Sequence, residues 1–229
     1  MGKDVIIACD FPTGKDTLLF LDQFDSEKPF VKIGMELFYS EGPDIVREIR
    51  KRGHRIFLDL KLHDIPNTVA RAMRVLSLLD VDIINVHASG GSAMMRGARE
   101  ALDPRVKLIA VTQLTSTDEQ MMHSELLIPG TIEEAVEAYA RNARDSGLDG
   151  VVCSSHEVEL IHRACGKQFL TVTPGIRFAG GDNQDQKRVM TPADADKIGS
   201  DYIVMGRPIT KDPDPVSAYL RAKAEFVHE

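Results

Sequence analysis

A short segment at the end of a predicted strand carries the side chains best suited to chemistry. It runs from Asp59 to Thr68, reads Asp-Leu-Lys-Leu-His-Asp-Ile-Pro-Asn-Thr, and follows the strand-like run 55–58. Because strand side chains alternate between two faces, Asp59 and Lys61 are expected to point the same way. A fixed ammonium can stabilise a developing negative charge and then donate a proton. Charges are rarely buried without a partner or a task, so the pair indicates a functional site, with a structural salt bridge as the alternative.

The rest of this segment is far more specific than an isolated Asp-x-Lys pair. A second carboxylate, Asp64, lies just beyond the strand, where a loop sets its direction. Pro66 ends the strand because it lacks a backbone donor, and Asn67 or Thr68 can begin the following helix. The sequence therefore predicts a strand, a charged loop and a helix in immediate succession.

Charged residues also mark the two preceding predicted strands. Asp10 ends the first strand, and Lys32 interrupts the second. Strands side by side in chain order would bring Lys32, Asp59 and Lys61 into one row of alternating charge, which satisfies its own charges and holds each side chain stiffly. Asp64 or Asp10 would add a further negative charge. A buried ion network that only sets strand register is the alternative, but so many charges at strand ends favour a functional role.

The last two predicted strands end in residues that suit anion binding. The seventh strand ends in the run from Thr173 to Arg177, and Gly206 and Arg207 follow the eighth. Gly206 allows close approach of the backbone, and each arginine offers a planar fork of donors. These two loops form the usual phosphate site of α/β barrels, so we predict a phosphate site at this corner.

Short apolar runs alternate with helical patterns along the whole chain, and these elements must position the charged residues. The predicted strands are 5–9, 30–33, 55–60, 83–87, 106–112, 150–153, 169–173 and 202–205. The predicted helices are 15–24, 41–52, 67–79, 91–101, 131–146, 156–165, 192–199 and 214–227. In the fifth of these helices, Thr131 precedes apolar residues at helical spacing and is predicted to be its N-cap.

This alternation of strands and helices predicts parallel strands with right-handed crossovers. Eight such units in 229 residues fit a single (β/α)8 barrel domain that spans residues 1–229. An open doubly wound sheet is the alternative, and the missing Gly-x-Gly-x-x-Gly after the first strand weakens it. The connections 113–130 and 175–191 are long and follow strand carboxyl ends, so they are predicted to be lids over a ligand, or else tolerant surface loops.

Composition restricts the possible partners. The net charge is −7, so attraction to nucleic acid or to an acidic membrane surface is not expected. No apolar run reaches the roughly 18 residues that a membrane span requires. The first residues lead directly into strand-like sequence, which is unlike a signal peptide. We therefore expect a cytoplasmic protein that works on a small molecule.

The cysteines and histidines form no metal-binding pattern. Cys9 and Cys153 lie in apolar runs and are expected to be buried free thiols, as is typical of a reducing cytoplasm. His156 and His162 are six positions apart and do not face each other on a helix as an i, i+4 pair does. A zinc site is not expected.

Several strings of this sequence resemble those of the orotidine 5'-monophosphate decarboxylase family. The matching strings are Asp10, Val31 to Gly34, Asp59 to Thr68, Val111 to Ser116, Thr173 to Arg177, Asp185-Gln186 and Gly206 to Thr210. They extend over nearly the whole chain, and the string that begins at Asp59 is the most specific. The resemblance implies a barrel enzyme that converts orotidine 5'-monophosphate to UMP in de novo pyrimidine biosynthesis.

The resemblance also implies a role for each charged residue. Lys61 would donate a proton to C6 of the pyrimidine, and Asp59 would lie against the carboxylate that leaves. Lys32 and Asp64 would complete the charge array. In the family, the counterparts of Asp64 and Thr68 reach into the neighbouring subunit's site, which implies a homodimer with shared active sites.

The other substrate contacts are implied in the same way. The residues that the resemblance assigns to substrate binding are Asp10, Lys32, Thr68, Thr115, Pro174, Arg177, Gln186, Gly206 and Arg207. The first two would bind the ribose, Thr115 and Gln186 would close over base and phosphate, and both arginines with Gly206 would hold the phosphate. The family uses no metal and no organic cofactor, so none is expected here.

Two alternative functions remain open. A metal-dependent sugar-phosphate decarboxylase or aldolase of the same suprafamily keeps the Asp-x-Lys-x-x-Asp pattern but carries a magnesium-binding glutamate where Lys32 stands. An ammonium at that position should repel a metal ion. A non-catalytic nucleotide-binding barrel would lack at least one member of the charge row, and none is missing.

Overall fold

Eight short apolar segments form the parallel strands of a closed barrel in the computed structural model, which describes residues 2–180 and 190–228. The strands are β1 (Asp4–Ala8), β2 (Phe30–Gly34), β3 (Ile56–Leu62), β4 (Ile83–His87), β5 (Lys107–Val111), β6 (Gly150–Val152), β7 (Leu170–Thr173) and β8 (Tyr202–Met205). Each strand pairs in parallel with the next along the chain, and β8 pairs back with β1. The predicted (β/α)8 barrel is confirmed, and the open sheet is excluded.

Helices connect the strands in the alternating order that the sequence predicted. They are α1 (Gly14–Leu21), α2 (Met35–Glu41), α3 (Pro43–Lys51), α4 (Pro66–Leu76), α5 (Gly91–Ala101), α6 (Glu119–Ser124), α7 (Ile132–Asp145), α8 (Val158–Cys165), α9 (Pro192–Lys197), α10 (Arg207–Thr210) and α11 (Pro215–Phe226). Short 3-10 turns lie at Ser77–Leu79, Ala88–Gly90 and Ser155–Glu157. The eight predicted helices are present with ends shifted by a few residues.

Three short helices, α2, α6 and α10, were not predicted. Helix α2 begins directly after β2, and Gly42 at φ 69° separates it from α3, so the single helix predicted at 41–52 is in fact preceded by another. Helix α6 lies within the connection 113–130 and is capped by the Asp118 side chain. Helices of one or two turns show too few apolar positions for periodicity to reveal them.

Side-chain caps fix where several of the longer helices begin. The Thr131 hydroxyl accepts the Glu134 N–H, and the Glu134 carboxylate accepts the Thr131 N–H, which completes a capping box at α7. The predicted N-cap at Thr131 is therefore confirmed. Thr13 and Asp214 cap α1 and α11 in the same way, by accepting a backbone N–H of the first turn.

The interior of the barrel contains a small apolar cluster. It consists of Ile6, Ala8, Phe30, Phe57, Ile83, Ile109, Val172, Tyr202 and Val204. Phe30 and Tyr202 meet edge to face, with ring centroids 5.9 Å apart. Since inward positions recur every second residue, the next inward positions above Phe30, Phe57 and Ile83 are 32, 59 and 85. The strands thereby deliver polar side chains to the carboxyl-terminal end of the barrel, where barrel active sites form.

Two further features concern the burial of the cysteines and the length and apolarity of the helices. Cys9 and Cys153 are buried free thiols, as predicted, and Cys165 is partly buried. Within residues 2–180 and 190–228, no helix is both long enough and apolar enough to cross a membrane. The cytoplasmic location stays a prediction.

Candidate active site

Four charged side chains meet at the carboxyl ends of the first three strands. Lys32 Nζ lies 3.0 Å from Asp10 Oδ1 and 3.4 Å from Asp59 Oδ2. Lys61 Nζ lies 2.8 Å from the other oxygen of the same carboxylate, Asp59 Oδ1. The result is a continuous row in which negative and positive groups alternate. We call Lys32, Asp59 and Lys61 the charge row.

The row keeps its buried members ionised. Burial by itself would lower the pKa of Lys32, but the attraction of Asp59 and Asp10 outweighs it and raises that pKa above the ordinary value. Burial would also raise the pKa of Asp59, which is only 8% exposed, yet Lys32 and Lys61 together hold it below its ordinary value. Each charge is therefore stabilised mainly by its neighbours, so removing one unbalances the others.

The backbone at Lys61 departs from a regular strand. Lys61 has a φ of 51°, in the left-handed region that side chains other than glycine seldom adopt. Leu58 pairs with Ile84 and Leu62 with Val86, so four steps along β3 match two steps along β4. A left-handed residue of this kind costs about 1–3 kcal/mol and persists only where its surroundings enforce it. Strand alternation correctly predicted that Lys61 lies beside Asp59, but a bulge, and not a regular pleat, brings them together.

A buried asparagine that the sequence prediction missed joins Asp59 to Lys61. Asn85, on β4, is fully buried. Its side-chain oxygen accepts the Lys61 backbone N–H at 2.7 Å, and its amide nitrogen donates to Asp59 Oδ1 at 2.6 Å. The signal in the sequence that could have revealed it was a polar residue at an inward position within the apolar run Ile83 to Val86.

Gly34, at the end of β2, makes room for the start of the row. A Cβ atom built at Gly34 would lie 3.1 Å from both Asp10 Oδ1 and Lys32 Nζ. Such contacts are tighter than most side chains show, so a larger residue would require Asp10 and Lys32 to shift by a few tenths of an ångström. Gly34 also stands at the N-cap position of α2. Gly34 belongs to the family-like string Val31 to Gly34, but only the fold shows that it lies against Asp10 and Lys32.

One cavity beside the row has a mostly apolar wall. It has a volume of about 460 Å³ and contains the three row residues and Thr115. Its apolar wall is formed by Phe57, Val111, Leu114, Val152, Cys153, Pro174 and Val204. A flat, partly polar ring would fit here with one edge against the ammonium of Lys61. We call this the row cavity.

A second cavity adjoins the first and is rich in cations. It has a volume of about 420 Å³ and shares Lys32, Pro174 and Val204 with the row cavity. Its other lining residues are Ala8, Asp10, Phe11, Pro12, Gly175, Arg177, Gly206, Arg207, Thr210 and Lys211. We call it the arginine cavity. Because it combines two arginines with two lysines, it suits an anion such as a phosphate group.

The two arginines of this cavity differ in how exposed they are. Arg177 is 9% exposed, and its Nη1 donates to the Ile176 carbonyl at 2.9 Å. Its backbone N–H donates to the Met190 carbonyl at 3.0 Å, which ties together the two ends of the long connection that follows β7. Arg207 is exposed at the first position of α10. One arginine is thus buried in the cavity wall, and the other stands at the rim.

Not every residue expected in the site lies in it within one chain. Asp64 and Thr68 are exposed, and the Asp64 carboxylate accepts the Ile65 N–H at 2.6 Å. Over residues 2–180 and 190–228, neither of them lines the row cavity or the arginine cavity. Gln186 lies outside the described residues. The structure therefore brings together Asp10, Lys32, Asp59, Lys61, Thr115, Pro174, Arg177, Gly206 and Arg207.

Comparison with known proteins finds similar chains over nearly the whole length of this one. A relative from Streptococcus mutans named orotidine 5'-phosphate decarboxylase is 59% identical over 222 residues, which cover 96% of each chain. One of the same name from a Geobacillus species is 54% identical over 236 residues, covering 100% of this chain and 99% of the relative. The crystal structure of orotidine 5'-phosphate decarboxylase from Lactobacillus acidophilus superposes with a TM-score of 0.88 at 40% identity, over 98% of this chain and 99% of that one.

The match to a family as a whole is equally extensive. Residues 3–222 match the model of the group described as the orotidine 5'-phosphate decarboxylase / HUMPS family. That range includes all eight strands and every residue of the charge row. The chain therefore belongs to the orotidine 5'-phosphate decarboxylase / HUMPS family.

Proposed function

We propose that this chain decarboxylates orotidine 5'-monophosphate to UMP in de novo pyrimidine biosynthesis. The observation that carries the proposal is the charge row, which lines the row cavity and extends through Lys32 into the arginine cavity. A nucleoside monophosphate has the matching parts: a flat base for the apolar wall and a phosphate for the two arginines. Membership of the family and the names of its relatives support the same substrate.

Lys61 supplies the central chemistry in this proposal. Loss of CO2 leaves its bonding electron pair on C6, where no carbonyl is positioned to delocalise it. The protein must therefore provide the stabilising charge. Lys61 Nζ lies in the row cavity, held 2.8 Å from Asp59 Oδ1. It stabilises the carbanion and then transfers a proton to C6, and solvent returns a proton to the amine.

The other row residues set the field around the reacting carbon. Asp59 stays ionised because its pKa is held low, so it faces the substrate carboxylate as a like charge that departure of CO2 relieves. Lys32 balances Asp59 and Asp10 from the other side and keeps Asp10 in place to bind the ribose hydroxyls. The pair of cations around Asp59 also prevents that carboxylate from being left as an uncompensated charge.

Phosphate binding at a distance from C6 assembles the site. Arg177 and Arg207 bind the phosphate in the arginine cavity. Thr115, on the long connection after β5, lines the row cavity. Binding energy from this remote group can be used to close the connections after β5 and β7 over the base. Gln186 belongs to the second of these connections and completes the proposed closure.

A homodimer with shared sites accounts for the position of Asp64 and Thr68. Both are exposed in the single chain, although they directly follow the catalytic strand. The neighbouring Ile65 is 67% exposed, and Tyr39 on α2 and Leu127 after β5 are 69% and 80% exposed. Apolar side chains exposed around the carboxyl end of the barrel suit contact with a second copy of the chain. In that dimer, Asp64 and Thr68 enter the partner's row cavity.

Lys32 distinguishes this proposal from the metal-dependent sugar-phosphate lyases. Its ammonium lies within 3.4 Å of carboxylate oxygens from both Asp10 and Asp59. A divalent cation bound by these carboxylates would be placed against that ammonium and repelled. The alternative function would require a carboxylate at position 32.

The reaction itself can be tested directly in the presence of a chelator. Purified chain treated exhaustively with EDTA is expected to consume orotidylate, followed by the loss of its ultraviolet absorbance and by chromatographic detection of UMP. Activity that disappears with EDTA and returns with magnesium would assign the chain to the metal-dependent alternative. A protein inactive under both conditions would refute the proposed reaction.

The role of the phosphate corner is tested by Arg207→Ala. This variant is expected to fold normally because Arg207 is exposed, yet to lose on the order of 10²–10³-fold in kcat/KM, the usual effect of removing one strong electrostatic contact. Steady-state kinetics with orotidine 5'-monophosphate measures the loss. Arg163→Ala on α8, an exposed arginine outside both cavities, is the matched control and should behave as wild type. Equal kcat/KM values for the two variants would remove Arg207 from the site.

A further inference from the structure

The hydrogen bonds of Asn85 define the orientation of its amide group. The Lys61 backbone N–H can only donate, so the atom that faces it must be the amide oxygen. The Asp59 carboxylate can only accept when ionised, so the group that faces it must be the amide NH2. A flipped amide would lose both hydrogen bonds. The side chain is thus oriented by its two partners and is fully buried between them.

The first of these bonds supports the irregular backbone of Lys61. At the register shift between β3 and β4, the N–H of Lys61 donates to the Asn85 side chain of β4. A buried N–H without an acceptor would be costly, and the left-handed conformation adds strain of its own. The amide oxygen of Asn85 therefore stabilises the conformation from which the Lys61 side chain enters the row cavity.

The second bond fixes the rotation of the Asp59 carboxylate. Asp59 Oδ1 accepts from Asn85 Nδ2 and also contacts Lys61 Nζ, while Oδ2 faces Lys32 Nζ. Rotating the carboxylate would break the contact with Asn85 and misplace the carboxylate relative to both lysines. One amide side chain thereby controls the direction of a carboxylate and the backbone of the adjacent lysine.

We propose that Asn85 is a positioning residue for the decarboxylation, holding Lys61 and Asp59 in the arrangement that the reaction requires. This inference rests on the proposed function. Asn85 does not line either cavity within the described parts of the chain, so it acts through Lys61 and Asp59 and not on the substrate. It is an inward residue of β4, one position past the Leu58–Ile84 pair and therefore at the level of Asp59 on β3, which explains why one side chain reaches both Asp59 and Lys61.

A first experiment separates positioning from binding. Asn85→Ala is expected to lower kcat by about 10²-fold, the scale of a misplacement of reacting groups by roughly 1 Å. Its KM should change little because the arginine cavity is untouched. Ile83→Ala is the matched control, since it truncates a buried inward residue of the same strand, two positions away, without touching the row. If Ile83→Ala lowers kcat as much as Asn85→Ala, or Asn85→Ala leaves kcat unchanged, the proposal is overturned.

A second experiment preserves the shape of the side chain and replaces the amide donor with a titratable carboxyl group. In Asn85→Asp, the introduced carboxyl group can still accept from Lys61, but it can donate to Asp59 only while protonated. Two carboxyl groups in such contact share one proton, which raises the pKa of one of them. The ratio of variant to wild-type kcat should therefore be highest at low pH and fall as the pH rises through that pKa. A ratio independent of pH and close to one would show that the donor is not needed.

These experiments keep the inference separate from the proposed function. Failure of the proposed function appears in the wild-type protein, which would not consume orotidylate. Failure of the inference appears only in the variants of an active enzyme. A crystal structure of Asn85→Ala gives a readout independent of activity: Lys61 is expected to leave the left-handed region and the Asp59 carboxylate to rotate. Unchanged positions of both residues would overturn the proposal.

Discussion

Lys61→Ala is expected to lower kcat/KM by at least ~10²–10³-fold, the loss typical of removing a single preorganised electrostatic stabiliser. The expected loss is this large because Lys61 is assigned two tasks, stabilising the C6 carbanion and protonating it. The remaining row still contains Lys32 and Asp59, which contact each other at 3.4 Å. The variant should therefore fold, and circular dichroism with thermal unfolding can establish this before kinetics are measured.

Two further variants make the Lys61 result specific. Lys61→Arg keeps the positive charge, but its guanidinium hardly deprotonates and cannot act as the proton donor, so it should also be severely impaired. Lys167→Ala removes an exposed lysine just before β7, at the opposite end of the barrel, and should retain wild-type kinetics. Wild-type kcat/KM in folded Lys61→Ala would exclude Lys61 from the chemistry and refute the mechanism.

Mixing two inactive variants is expected to restore activity if sites are shared between subunits. Lys61→Ala and Asp64→Ala should each be severely impaired, because each unbalances the proposed charge array. A mixed dimer contains one site with both residues intact and one site that lacks both. At random assortment about half of the dimers are mixed, so roughly a quarter of wild-type activity should return. Activity assays after subunit exchange, with mixed dimers verified by mass spectrometry, provide the measurement.

The matched control for this experiment pairs Lys61→Ala with Asp59→Ala. Asp59 and Lys61 contact each other within one chain at 2.8 Å, so both belong to the same chain's site. Every site of their mixed dimer then lacks one of the two residues, and no activity should return. Verified exchange between Lys61→Ala and Asp64→Ala without recovery would show that Asp64 does not serve the partner's site.

Much of the fold could be predicted from the sequence because its signals are local. Eight apolar runs alternating with helical patterns specify parallel strands and crossovers, and the capping box at Thr131 marks a helix start from neighbouring residues alone. The short helices α2, α6 and α10 were not predicted because one or two turns contain too few apolar residues to show a helical period. Their positions depend on the ends of the strands that they follow.

The sequence was likewise sufficient to predict which residues form the candidate site, but not how they are held in place. Residue types and strand ends were sufficient to predict that Lys32, Asp59 and Lys61 form a row and that Arg177 and Arg207 share a corner, since barrel closure brings successive strand ends together. The sequence could not show how the row is held. That depends on pairing between strands that are far apart in the chain.

Only the tertiary structure decided the left-handed conformation of Lys61, the bridging role of Asn85 and the close approach of Gly34 to Asp10 and Lys32. The register shift between β3 and β4 is a property of two strands together, and no local pattern in either one encodes it. The hydrogen-bond partners of Asn85 depend on which strand lies next to β4 in the barrel. The space beside Gly34 depends on Asp10 and Lys32, whose side chains pack against it. The sequence by itself determined which charged groups this protein has at its strand ends, whereas packing between strands decided their geometry, because that geometry depends on contacts between residues distant in the chain.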